Sequence, residues 1–112
     1  MNSILTDVKL FLGIPEESDS FDSNLITCIN SVFVVLSQIG VGSDVPFKIQ
    51  NGNTTWDEFS QNCEVIEMVK TYVPEKVALM FDPPSSSYAS DALKSVLAEQ
   101  EWRLNIACDK GE

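Results

Sequence analysis

Apolar residues fall at helical spacing in four stretches of the chain, and strong punctuation separates them. Ile4, Leu5, Val8, Phe11 and Leu12 share one face, which predicts a first helix over residues 3–12 ended by Gly13, Ile14 and Pro15. An acidic, serine-rich loop follows through Ser20. Asp22 is a good N-cap for a second helix carrying Leu25, Ile26, Ile29, Val32, Phe33, Leu36 and Ile39, with Gly40 as its C′ glycine. Its middle, Val32-Phe33-Val34-Val35-Leu36, is apolar all round and β-branched. The frame from Asp22 to Gly40 favours helix, and a helix apolar on every side needs cover on every side. Val34 and Val35 are therefore candidates to meet another subunit.

Residues 40–56 are the least regular part, with Gly40, Gly42, Pro46 and Gly52. Val45-Pro46-Phe47-Lys48-Ile49 before Asn51-Gly52 predicts a long loop or a short β-hairpin turning at Asn-Gly. Long loops in small domains often carry function, and an arm that orders on a partner would anchor through Val45, Phe47 and Ile49. The plainer alternative is a surface loop. A third helical segment is expected from about Asp57 to Phe81, capped by Thr54 or Thr55, with Val65, Met68, Val69, Tyr72, Val73 and Met80 on one face. Pro74 lies inside it and predicts a kink or break near Tyr72. Asp82-Pro83-Pro84 stops the segment. Ser85, Ser86 and Ser87 then offer caps for a last helix, Tyr88 to about Cys108, whose main stripe is Ala89, Leu93, Val96, Leu97 and Leu104.

That last helix has a second apolar side. At about 100° per residue, Trp102 falls roughly opposite Leu93, with Ala98 and Ile106 beside it. Arg103 is its neighbour, and Trp and Arg are enriched at interface anchors. Either the glycine-rich loop folds back over this stripe or a second subunit covers it. The expected fold is thus mainly α: a single domain over 1–112, a small bundle of about four helices with the long loop or hairpin between the second and third.

Composition narrows what such a bundle does. Among 112 residues there are 17 Asp and Glu against 7 Lys and Arg, a formal net charge of −10. Tight binding to a phosphate backbone needs clustered cations, and the sequence has no basic stripe. An acidic surface repels nucleic acid and anionic membranes, which suits a wall past which DNA slides without sticking. No stretch has the length of a membrane span, and the N-terminus lacks signal-peptide features. The three cysteines, Cys28, Cys63 and Cys108, are widely spaced and odd in number, as expected for reduced thiols in a cytosolic setting.

Catalytic chemistry finds little footing. The chain has no histidine, no Cys-x-x-Cys pair and no glycine-rich phosphate loop. Glu64 with Glu67, and Glu16 with Asp19, sit one turn apart, but such pairs are usually solvated faces rather than acid–base dyads. No catalytic, cofactor-binding or metal-binding residue is expected.

Four segments, in order, resemble the head–tail connector family of tailed bacteriophages. They are Leu5 to Ile14; Phe21-Asp22 leading through Leu25-Ile26 and Ile29-Asn30 to Leu36-Ser37-Gln38-Ile39-Gly40-Val41-Gly42; Phe81-Asp82-Pro83-Pro84 with Ser85 to Ser87; and Glu99-Gln100-Glu101-Trp102-Arg103-Leu104-Asn105. The resemblance implies a structural virion protein of the neck, assembled in the host cytoplasm. It implies a subunit of a twelvefold ring between the portal protein and a stopper or tail-completion protein, extending the DNA channel without binding DNA specifically. It also implies no cofactor. Two other readings compete: a small acidic DNA mimic that inhibits a nucleic-acid enzyme, and an enzyme working with carboxylates alone. The first would need carboxylates at phosphate-like intervals, whereas here they are interleaved with Lys9, Lys70, Lys76 and Lys94.

Overall fold

Each of the first two helices is closed by the same backbone device. In α1, Ile4–Leu12, the Ser3 hydroxyl accepts from the Thr6 N–H at 3.0 Å and so caps the start. At its end Gly13 takes φ 79°, its N–H donates to the Leu10 carbonyl, and the Ile14 N–H reaches back to Lys9 O at 2.9 Å. Helix α2, Asp22–Gln38, repeats this: Gly40 has φ 90°, and the Val41 N–H donates to Leu36 O at 2.8 Å. Both are Schellman closures, which need a residue without a Cβ at the left-handed position. The computed structural model describes residues 3–41, 47–59 and 63–108, with backbone alone at 63–65.

The remaining helices are a single turn α3, Trp56–Phe59, then α4, Cys63–Phe81, and α5, Ser87–Cys108. The protein is mainly helical, as expected, and α4 is the central member: it packs against α1, α2 and α5. Ile66, Val69, Tyr72, Val73 and Val77 from α4 join Ile4, Leu5 and Val8 of α1 and Leu25, Ile29, Val32, Phe33 and Leu36 of α2 in one core. From α5, Leu97 and Leu104 are the buried members. The result is a slab of 44 × 35 × 20 Å, two helices thick at about 10 Å each.

Several expectations need correction. Helix α4 runs through Pro74 without a break, and Pro74 is itself buried. Packing on three sides outweighs one missing amide donor. Asp22 is not the cap of α2: Phe21 holds that position, with no side-chain bond, and Asp22 turns to Lys9. No β-hairpin forms among the described residues, where Ser3 and Thr55 make an isolated bridge. At Asn51-Gly52 the Asn53 N–H bonds the Asn51 side chain at 2.8 Å, so a side chain makes the turn that a hairpin would have made with backbone. The third expected segment is described as α3 and α4 on either side of 60–62, which lie outside the described residues. Its cap is Thr55, whose N–H donates to the Glu58 carboxylate at 3.0 Å, the return half of a capping box. Ser86 caps α5 by accepting from the Ala89 N–H at 3.0 Å.

Two polar anchors tie the long loop to the bundle. The Asn30 amide pairs with both backbone groups of Ile49, accepting from its N–H at 2.8 Å and donating to its carbonyl at 3.1 Å. In effect the α2 side chain serves as the strand that the loop lacks. Trp56 is buried and donates its indole N–H to the Asp7 carboxylate at 2.7 Å, joining α3 to α1.

Candidate interaction surface

Helix α5 lies on α4 through a polar clamp flanked by apolar contacts. The Tyr72 hydroxyl donates to Glu101 at 2.6 Å, and Lys76 pairs with the same carboxylate oxygen at 3.2 Å. Burial, followed by the Glu101 hydrogen bond and charge, pushes the Tyr72 hydroxyl well above the usual tyrosine value, so it remains a donor. Near the other end the Asn105 side chain donates to the Ile39 carbonyl at 2.7 Å, satisfying an otherwise open acceptor just past α2.

The clamped side buries Leu97 and Leu104 and leaves the far side of α5 bare. Trp102 is 63% exposed, Ile106 51% and Tyr88 86%. These three lie on one stripe, since steps of 14 and 18 residues return to nearly the same azimuth, and they span about 27 Å of helix. Arg103 borders the stripe and is held by Glu99, one turn earlier, at 2.7 Å. An exposed pair of this kind adds little stability, and it aligns the guanidinium along the helix. Between α4 and α5 a groove of about 480 Å³ is lined by Glu67, Met68, Thr71, Gln100, Arg103 and Leu104.

The expected contact residues do not form one surface and fall into three groups. Trp102 and Ile106 sit on the outer side of α5, and Arg103 lies at its border, where it also lines the groove against α4. Val34 is exposed on α2 and Val35 is half-buried, away from that stripe in sequence and element. Phe47 and Ile49 turn inward. Ile49 is buried, and Phe47 packs with Phe33 and Phe59 at centroid distances of 5.1 and 5.4 Å. Both side chains are thus engaged by their own fold rather than held out on an arm. Val45 lies outside the described residues. Val96, assigned by periodicity to the buried stripe of α5, is 48% exposed, because among the described residues α4 is the main element packed on this helix and the covered arc is narrow. Tyr88 was legible by the same counting that picked out Trp102, but its place as a boundary residue hid it.

Nothing in the described residues gathers three or more metal-ligating side chains. No described helix is long and apolar enough to cross a membrane. The arrangement is an exposed apolar face on a fixed helix, suited to contact rather than to bond chemistry. The family described as phage connector protein matches the chain over residues 4–111. No curated protein and no solved structure matches it.

Proposed function

This chain belongs to the phage connector protein family, and from that premise we propose that it is a ring-forming adaptor at the head–tail junction. In this reading copies of the chain dock on the portal at the capsid vertex. They offer their other face to a stopper or tail-completion protein and extend the DNA channel once the head is filled. The supporting observation is the outer side of α5, where Tyr88, Trp102 and Ile106 stay exposed after the chain has closed its own core. Apolar faces of that extent usually mark contact sites. A contact between unlike faces of successive copies closes into a ring when the rotation allows. The formal net charge of −10 fits a channel wall that must let DNA pass.

Electron microscopy of intact particle necks tests this directly. A ring of this chain with Trp102 and Ile106 covered by a neighbour is expected. In parallel, Trp102→Ala should cut particle assembly at least tenfold, as for a central interface residue, while thermal stability of the isolated chain stays within about 1 kcal/mol of wild type. Equal loss of folding and assembly would make Trp102 a fold residue and remove the support.

A further inference from the structure

A second surface, at the end of α4 and the loop before α2, joins exposed aromatic and apolar groups to unpaired acids. The Phe21 ring stands edge-on to Phe81 at a centroid distance of 5.5 Å, which seats the loop before α2 against the end of α4. Phe21 and Met80 are each 45% exposed. On the loop before Phe21 and just after α4, Glu16, Glu17, Asp19 and Asp82 are exposed, and none of the four takes part in an ion pair among the described residues.

The loop is held in place from below. Lys9 is buried, with its ammonium 2.9 Å from the Asp22 carboxylate and 3.0 Å from the Glu16 carbonyl that accepts from it. A turn from the Asp22 N–H to Asp19 O, and another from Ser18 N–H to Pro15 O, complete the strap. Three like-charged side chains on a short loop repel one another and favour an open loop. Here a buried cation opposes that tendency and keeps the acids beside the Phe21–Phe81 pair.

We infer that this end of the slab docks a protein segment carrying lysines or arginines around an apolar anchor. It rests on the adaptor reading only for where that segment comes from, a neighbouring neck protein. Charge complementarity selects the occupant. Four exposed, unpaired carboxylates stand on the loop before Phe21 and at the end of α4 that the Phe21–Phe81 contact joins, and a chain with 7 cations against 17 acids is poorly supplied to provide the matching face from a second copy. Apolar contact with Phe21 and Met80 would supply attachment, and the acids would set orientation and salt dependence.

Two experiments decide it. The first uses an amphipathic helical peptide of leucine and lysine, with its leucine and glutamate counterpart as control, and NMR shift mapping on the full chain. Shifts centred on Phe21, Met80 and residues 16–19 are expected with the cationic peptide alone, fading as salt rises. Shifts spread evenly over all acidic faces, or none, would overturn the inference whatever the protein's role in the particle. The second measures binding of purified portal and stopper proteins to wild type and to a Glu16→Lys, Glu17→Lys, Asp19→Lys triple variant, with circular dichroism as the folding control. A loss of at least tenfold for one partner, with self-association unchanged, is expected. Loss of self-association instead would assign the surface to a second copy and overturn the inference. Wild type that binds neither neck protein, yet shows the mapped peptide site, would count against the adaptor reading alone.

Discussion

At the scale of single residues, three polar side chains decide how this sequence closes: Lys9, Asn30 and Trp56. Each joins segments that helical periodicity treats separately. Lys9 shows the logic best, since its ammonium is buried and answered by Asp22, whose side chain is 31% exposed. Removing one member of such a pair leaves the other uncompensated, and the cost depends on which one stays behind. Asp22→Ala strands a buried ammonium and should cost about 3 kcal/mol. Lys9→Met keeps the apolar stem and strands a carboxylate whose Oδ1 is buried but whose side chain is 31% exposed overall, so it should cost less. Urea denaturation of the two variants gives the order; the reverse order would mean that Lys9 escapes to solvent in the native state. None of the three was visible as an anchor in the sequence. A lysine on a helix edge reads as solvated, an asparagine in mid-helix reads as neutral, and a tryptophan after a loop reads as a boundary. Their partners lie 13, 19 and 49 positions away, beyond any local pattern.

Among the elements, those with both periodicity and punctuation were legible. α1 and α2 have apolar stripes closed by Gly13 and Gly40, and both glycines stand at the left-handed positions expected of them. α5 was legible in its extent and its exposed Trp102–Ile106 side, but not in its narrow buried arc. Of the kink or break expected at Pro74, the break does not occur, because α4 is packed by α1, α2 and α5. Before α3, of the expected long loop or short hairpin, the described residues form the loop: Asn-Gly is a sound turn signal, but Asn30 supplies the pairing that a second strand would give. The α4–α5 clamp carries a pH dependence whose sign follows from Tyr72. An unfolded tyrosine loses its proton near pH 10, whereas folded Tyr72 holds its proton beyond that value. Above about pH 10 the unfolded state therefore binds fewer protons than the native one, and stability falls as pH rises. Below that the contribution is fully present. Tyr72→Phe should cost about 1–2 kcal/mol at neutral pH and flatten the alkaline decline. Thermal melts of both proteins from pH 7 to 11 check this, and an unchanged alkaline slope in the variant would place the titrating group elsewhere.

For the whole molecule, charge and apolar surface pull in opposite directions. A formal net charge of −10 on a slab 20 Å thick opposes compaction within a copy and approach between copies. Salt shortens the reach of that repulsion to about 8 Å at physiological strength and leaves apolar contact intact. Raising salt from about 10 mM to about 0.3 M should therefore raise the melting temperature by several degrees and increase self-association. Sedimentation at the two salt levels measures the second effect; dissociation on adding salt would show that ion pairs, not apolar faces, hold copies together.

One small contact changes how the outer face of α5 behaves. The Asn105 side chain grips the Ile39 carbonyl at 2.7 Å, and the Ser86 cap starts the helix at its opposite end. A helix capped at one end and tied to the bundle at the other frays less, so less ordering entropy is lost on contact. In the proposed ring the tryptophan side of α5 would work as a splint already set, held by an amide whose own bond is made inside the subunit.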